Sequence, residues 1–285
     1  MQLGQTDCAA PAATSRTWNS PTSLYLARRL HDIAGGRPIS VMDMGCGDGA
    51  AIELLLSYGY DMHGYDFPDR EAKLRARLEG HYGGDFASHI KVTSDERRIP
   101  FPDASFDVVY ANQVFEHVRF LDQMVSECAR VLKPSGVLLV NFPMASHPIE
   151  CHLKIPFAHW VPPGRVRIGY LRMFYALRLR PRLCGESALE AALRWDDYLT
   201  EKTYYRFMNE IRSVFQGRFA SVELETSDFI AAKLDMLSES GNPRHRVLAR
   251  ILRPLCGKVA GSLVTYLMNA CFCARQPLNG ESTAG

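Results

Sequence analysis

The sequence predicts an α/β fold: a doubly wound, mostly parallel seven-stranded sheet with an inserted, largely helical cover. Three observations predict it. Short β-rich runs alternate with helical stretches from residue 38 to residue 143, the glycine-rich stretch GCGDGA at 45–50 stands where the first run gives way to the first helix, and the alternation stops after Pro143 and resumes near Phe219. Strands alternating with helices build a parallel sheet with helices on both faces.

Each element can be justified in turn. Residues 1–17 form a Ser/Thr/Ala/Pro-rich tail, and Pro21 to Ile33 then carries the apolar spacing of a helix. PISVMDM reads as a strand, AAIELLLSYG as a helix, DMHGYDF as a strand, DREAKLRARLEG as a charged helix and HIKVTSD as a strand. SFDVVYAN is the fourth strand, FLDQMVSECARVL a helix stopped by Lys133-Pro134, and GVLLVNFP the fifth strand. About seventy residues without this rhythm follow, read as an insertion rather than a second domain. FASVELET and NACFCARQP are the sixth and seventh strands, an antiparallel edge pair separated by a helical stretch from Phe229 to Leu267. The expected organisation is a tail at 1–17, an α/β core at 18–143, the inserted cover at 144–216, the remaining core with its helical insertion at 217–276, and a tail at 277–285.

With 285 residues, 47% of them hydrophobic, the chain can bury an ordinary core, which excludes a disordered or fibrous protein. Its 33 basic and 31 acidic residues leave a net charge of +2, too little for a whole-protein nucleic-acid footprint. The eight cysteines show no repeated CxxC spacing, and the N-terminus lacks a basic start followed by an apolar run, so a cytoplasmic protein with reduced thiols is expected. The stretch from Leu255 to Ala274 approaches the length of a membrane span, but Gly257, Lys258, Gly261 and Asn269 favour a buried helix and strand.

In an open α/β sheet a ligand sits beyond the carboxyl ends of the strands. Gly45, Gly47 and Gly49 stand at the first such turn, where missing Cβ atoms let the backbone approach a ligand or take positive φ. The spacing also satisfies GxGxxG/A with Ala50 in last place, so the loop alone fits a dinucleotide fold equally well. Asp66, at the end of the second strand, lies 19 residues after Gly47, where an acid accepts hydrogen bonds from ribose hydroxyls in either case. A nucleoside-containing ligand is expected.

Four stretches in order separate the possibilities: VMDMGCGDGA, HGYDF, SDERRIPFPDASFDVVYANQVFEHV and ARVLKPSGVLLVNFP. Through them the chain resembles the class I S-adenosylmethionine-dependent methyltransferases over about residues 38–143 and the terminal strand pair. The resemblance implies S-adenosyl-L-methionine as cofactor and assigns its contacts. Asp43 with Gly45, Cys46, Gly47 and Gly49 would face the methionine portion, Asp66 the ribose, Phe67 the adenine ring, Asp95 with Glu96 the adenine amino group, and Asn112 with Gln113 the floor near the sulfonium. This sequence has Ser94-Asp95-Glu96 where many relatives have Gly-Asp-Ala, so the adenine contact falls to either acid.

Methyl transfer to a hydroxyl needs alignment and a base. HPIECHLKIPFAHW, directly after the fifth strand, offers His147, His152 and His159 beside Glu150. Histidine titrates near neutrality, and His152 is the preferred base. Glu150, Cys151 and the histidines are also metal ligands by type, but their spacing follows no familiar zinc pattern, so no metal is assigned. His117, within FEHV, resembles a family position near the acceptor. Arg165 to Arg182 holds six arginines and no acid, interleaved with aromatics, and five arginines with Lys258 lie between Glu239 and Glu281, again without an acid. Such segments suit a solvated face, an anionic membrane or lipid-linked acceptor, or RNA. The expected activity is O-methylation of a small or lipid-linked metabolite such as a sugar, quinone or natural-product hydroxyl, at the cytoplasmic face of a membrane if lipid-linked. N-methylation and a non-catalytic S-adenosylmethionine-binding module are the alternatives.

Overall fold

The structure, a computed structural model, describes residues 21–255 and 269–278. Its order is α1 (Pro21–Ala34), β1 (Ser40–Met44), α2 (Ala50–Leu56), β2 (Asp61–Asp66), α3 (Glu71–Tyr82), α4 (Phe86–His89), β3 (Ile90–Val92), β4 (Phe106–Asn112), α5 (Leu121–Val131), β5 (Leu132–Pro143), α6 (Arg165–Ala176), α7 (Ala188–Glu201), α8 (Met208–Gln216), β6 (Phe219–Leu224), α9 (Thr226–Glu239), α10 (Pro243–Leu255) and β7 (Asn269–Pro277). The strands form one seven-stranded sheet in the order β3-β2-β1-β4-β5-β7-β6. β1 to β5 run parallel, and β7 is antiparallel to both of its neighbours, β5 and β6. The expected antiparallel edge pair is present: β7 lies next to β5, so β6 points the same way as β5 and only β7 is reversed.

Period-two alternation places successive side chains on opposite faces, and helices cover both. Val41, Val108, Tyr110, Leu139, Cys271 and Cys273 pack with α1, α2, α3 and α9 on one face. Met42, Val109, Ala111, Leu138, Val140 and Phe272 pack with α5 and α8 on the other. The cysteines of β7 are thus small core residues rather than a redox pair.

Two expectations are corrected. β5 starts at Leu132, not Gly136, because the chain around Pro134 bulges out of the β4 register and rejoins at Val137. The helical stretch from Phe229 is two helices, α9 and α10, divided near Gly241 where a glycine and Pro243 interrupt the pattern. Residues 1–20, 256–268 and 279–285, which include most of both tails and part of the Leu255–Ala274 stretch, lie outside the described residues. Among the described residues no helix is long and apolar enough to cross a membrane.

Between β5 and α8, α6 and α7 pack on each other around Leu171, Tyr175, Ala191 and Leu199, a cluster of their own that also gathers Leu153, Ile155 and Ala158. Arg167, only 4% exposed, ties the two helices through Asp196 Oδ1 at 2.5 Å, the Asp196 carbonyl at 3.0 Å and Thr200 Oγ1 at 2.5 Å. α8 packs instead with the sheet through Met208, Ile211 and Phe215.

Candidate active site

The glycine loop connects β1 to α2, and its glycines serve different ends. Gly45 has φ +67, and a Cβ there would lie 2.6 Å from Val114 Cγ2, so this position is closed by packing against the chain leaving β4. Gly47 has φ +62, and no atom lies within 4 Å of where its Cβ would be, so that side of the backbone faces open space. Gly49 is turned away, its Cβ position 2.7 Å from Leu78 Cδ1 in α3. The loop is held from the second strand: Asp66 Oδ2 accepts the Gly47 N–H at 2.6 Å and Oδ1 accepts the Phe67 N–H at 2.7 Å.

A cleft of about 640 Å³, including its open mouth, lies over this loop and is lined among others by Asp43, Gly45, Cys46, Gly47, Asp48 and Asn112. Asp43 is 5% exposed, and burial, reinforced by the nearby Asp66 carboxylate, pushes its carboxyl up to about 8. The lining carries two carboxyls, Asp43 and Asp48, and no lysine or arginine among its described residues; Arg77 of α3 pairs with Asp48 Oδ2 at 2.9 Å. Asn112 is oriented by its neighbour, Asn141 Nδ2 donating to Asn112 Oδ1 at 2.8 Å, while Gln113 takes φ +56 and donates its N–H to the Asn141 carbonyl at 2.7 Å. Phe67 is 47% exposed, and Asp95 and Glu96 are exposed in the loop after β3; none of the three lines this cleft. Asp95 Oδ1 accepts the Arg97 N–H at 2.8 Å. Thr22, Ser23 and Leu26 of α1 complete the cleft wall. Sequence reasoning missed them, since a helix before β1 carries no motif; the available signal was its position directly before the first strand.

A second polar group collects beyond the ends of β4 and β5. Of the three histidines expected to serve as base, only His152 is bonded to a carboxylate: its Nδ1 lies 2.8 Å from Glu150 Oε1. Glu150 is fully buried and also accepts the His152 N–H at 2.8 Å, the Leu153 N–H at 2.5 Å and the Tyr205 hydroxyl at 2.5 Å. Burial alone would raise its carboxyl, but the bonds from His152, the Leu153 amide and Tyr205 outweigh it and hold the group at about 2. His147 bends back on its own chain, Nδ1 lying 2.5 Å from the Ile149 carbonyl. His159 Nε2 lies 3.1 Å from the Ala145 carbonyl, and burial lowers both rings below the usual histidine range. The neighbour His152 does have is His117, with Nε2 to Nε2 at 3.2 Å.

Glu116, one residue earlier and 1% exposed, has neither carboxylate oxygen bonded and is raised to about 8, chiefly by burial. Its turn is fastened by the cover: Tyr204 N–H donates to the Glu116 carbonyl at 2.6 Å, and the Arg206 guanidinium reaches the carbonyls of Phe115, Val118 and Arg119 at 3.3, 2.6 and 3.0 Å. Sequence reasoning left out Glu116, Tyr205 and Arg206, because their partners lie some 90 residues away or, for Tyr205, 55.

Residues 42–140 match the family model described as a methyltransferase domain. A Mycolicibacterium smegmatis protein named as a probable S-adenosylmethionine-dependent methyltransferase is 33% identical over 155 residues, covering 50% of this chain and 56% of that protein. The ubiquinone biosynthesis O-methyltransferase of Caulobacter vibrioides is 28% identical over 145 residues, 49% of this chain and 57% of that protein. A Gibberella zeae sterol 24-C-methyltransferase is 36% identical over 121 residues, 39% of this chain and 30% of that protein. The chain thus spans between 30% and 57% of the length of these relatives. Among solved structures, an S-adenosylmethionine-dependent methyltransferase from Mesorhizobium loti is 17% identical with a TM-score of 0.45, covering 84% of this chain and 91% of that one. The matched segment runs from β1 through β5 and carries the glycine loop, so this part of the chain is similar to a methyltransferase domain.

Proposed function

We propose that the protein binds S-adenosyl-L-methionine in the cleft over the β1–α2 loop and transfers its methyl group to a hydroxyl of a small or lipid-linked metabolite. The observation that carries this reading is the lining of the cleft. A buried carboxyl, Asp43, lies beside an open-faced glycine, and the lining holds no lysine or arginine, the Arg77 guanidinium nearby being paired with Asp48 and Glu53; this suits an ammonium and a sulfonium better than a pyrophosphate. Asp43 would hold the ammonium, the Gly45–Gly47 backbone the methionine chain, and Asp66 the ribose hydroxyls through its remaining lone pairs. Asp95 or Glu96 with Phe67 would meet the adenine outside the cleft, and Asn112 with Gln113 would shape the floor at the methyl group.

The cofactor supplies its own leaving group, so the protein's residues need only align an in-line displacement and accept the hydroxyl proton. His117 follows Gln113 by four residues and lies against His152, which would accept the proton. Calorimetry with S-adenosylmethionine and with NAD, followed by detection of S-adenosylhomocysteine in the presence of sugar, quinone and polyphenol acceptors, tests the reading. Micromolar binding of the first ligand and product formed only with hydroxyl acceptors is expected. Turnover of amines alone would replace it with N-methylation, and binding without turnover by a non-catalytic module.

We also propose that the cover contacts an anionic membrane that presents the acceptor. Val166, Met173 and Leu177 are 65%, 46% and 63% exposed at helical spacing on or just past α6, and Arg165, Arg172 and Arg178 stand exposed beside them. Apolar side chains flanked by arginines favour an anionic lipid surface.

A further inference from the structure

We propose that His117 and His152 bind a single proton as one unit, shared between their Nε2 atoms, and that His117 and Glu150 are thereby positioning residues for His152. The shared proton follows from geometry; its use in catalysis rests on the reading that His152 accepts the hydroxyl proton. The argument begins with the outer nitrogens. His117 Nδ1 lies 2.6 Å from the Lys202 carbonyl oxygen, which can only accept, so that nitrogen carries a hydrogen. His152 Nδ1 lies 2.8 Å from a carboxylate oxygen of Glu150, where a bare nitrogen would set its lone pair against an anion, so it carries a hydrogen too. The two Nε2 atoms face each other at 3.2 Å. Two hydrogens between them would clash, and none would leave two lone pairs opposed. One makes an imidazolium that donates to an imidazole, a charge-assisted hydrogen bond.

The surroundings favour one proton and oppose a second. Glu150 is fully buried, which would raise its carboxyl, but the bonds from His152, the Leu153 amide and Tyr205 hold it at about 2, so it stays an anion beside the pair. Burial pushes the His117 ring below the ordinary histidine value, and charge on His152 adds to this, which resists a second cation. The other titratable groups facing the rings are uncharged near neutrality. Burial pushes the Cys151 thiol, whose sulfur lies 3.1 Å from His152 Nδ1, up to about 12. It also raises the hydroxyls of Tyr205, 3.2 Å from the same nitrogen, and of Tyr198 in α7, whose ring stands edge-on to both imidazoles. Glu116, raised to about 8 chiefly by burial, keeps its proton below that pH. Among these groups Glu150 is the anion that balances the shared proton.

In methyl transfer the acceptor's O–H bond breaks as its oxygen takes the methyl group, and the electron pair of the broken carbon–sulfur bond stays on sulfur. The hydroxyl proton then rests between the two Nε2 atoms until it leaves to solvent. A single imidazole would hold that proton against burial alone, whereas a facing lone pair and a fixed anion make the same place more basic. Turnover needs the pair empty at the start, so the rate rises with pH through the midpoint of the pair.

The test uses the full chain with isotope-labelled histidine, whose ring nitrogens report their own protonation by NMR. Both rings are expected to titrate in one step at a common midpoint, with one proton taken up and both Nδ1 atoms protonated throughout. His117→Phe keeps a ring but no nitrogen, and it is expected to move the His152 midpoint down by about one pH unit or more, the scale of a lost hydrogen bond to a charged group. Glu150→Gln is expected to move it the same way. Separate midpoints for the two rings, two protons taken up, or an unmoved His152 midpoint in folded His117→Phe protein would overturn the shared proton. The wild-type titration decides this even where a variant fails to fold, and S-adenosylmethionine calorimetry reports the folding of each variant. The rising limb of turnover against pH should share the NMR midpoint and move with it in His117→Phe, with the acceptor's KM little changed. A limb that stays while the NMR midpoint moves would overturn the role of the pair in catalysis. No turnover with any acceptor would count instead against the methyl-transfer reading, and the NMR titration would still decide the shared proton.

Discussion

A buried acid facing a cationic ligand gives that ligand's affinity a definite pH dependence, and in the proposed site Asp43 is such an acid. Its carboxyl is raised from an ordinary 3.8 to about 8, so in the free protein it is protonated across the neutral range. An ammonium needs the carboxylate, so below about 8 binding must first expel the proton, and above it that cost disappears. Affinity for S-adenosylmethionine is therefore expected to rise as pH climbs toward 8, with proton release seen by calorimetry in buffers of different ionisation heat. Asp43→Asn should bind weakly and without that slope; a wild-type affinity flat between pH 6 and 8 would remove Asp43 from the ammonium site. The same shift has a cost for the free fold. A carboxyl whose folded value is raised favours the folded state when protonated, so Asp43 and Glu116, also at about 8, should make the ligand-free protein lose stability as pH rises from about 4 to about 8. Asp66 acts differently. Asp66→Ala removes the proposed ribose acceptor and the anchor of the Gly47 amide together, and should weaken cofactor binding by about 1–3 kcal/mol in the same calorimetric assay.

At the scale of elements, the glycine loop shows what the sequence could and could not tell. Three glycines in GCGDGA announced a close approach, but not to what: Gly47 faces open space, while Gly45 and Gly49 face Val114 and Leu78. Which neighbour a glycine meets depends on strands and helices distant in the chain. Alanine at each position therefore has a different consequence. Gly45→Ala drives a methyl into Val114 and should lower stability by about 1–3 kcal/mol, read as a fall in the melting temperature. Gly47→Ala meets no protein atom and should cost only about 1–2 kcal/mol of left-handed backbone strain, with a disproportionate loss of cofactor affinity. Equal effects on stability and binding in the two variants would refute this division. β1 to β5 were legible because alternating apolar runs survive translation into a buried parallel sheet. The insertion of β7 beside β5 was not, because pairing partners are chosen by long-range packing: Cys271 and Cys273 join the α1 face only once Val137 to Pro143 lie beside them. The anchor of α1 was equally hidden. Arg29 binds both oxygens of Glu225 at 2.7 Å and the Tyr25 hydroxyl donates to the same carboxylate, across about 200 residues.

At the scale of the molecule, the inserted segment packs around a cluster of its own, and its arginines read in the sequence only as a basic stretch. From Arg165 to Arg182 the arginines looked equivalent, yet the fold separates them. Arg167 is buried against Asp196, 29 residues on, whereas Arg165, Arg172 and Arg178 remain exposed beside Val166, Met173 and Leu177. No local pattern distinguishes a guanidinium that locks two helices from one that meets solvent, because the acid that decides it lies in the next helix. This division makes the membrane proposal testable within one run of sequence. Arg167→Gln leaves Asp196 buried without its partner and should destabilise the fold by about 3–5 kcal/mol. Arg172→Gln with Arg178→Gln should leave the melting temperature and cofactor affinity unchanged. It should instead weaken binding to vesicles containing anionic lipid and raise the KM for a lipid-linked acceptor, with kcat little altered. Added salt should reduce the wild-type vesicle binding in the same direction, since exposed charges are screened within about 10 Å at 0.1 M. If the double variant sediments with anionic vesicles as well as wild type does and keeps its KM, the exposed arginines of α6 are a solvated face and the acceptor reaches the site from water.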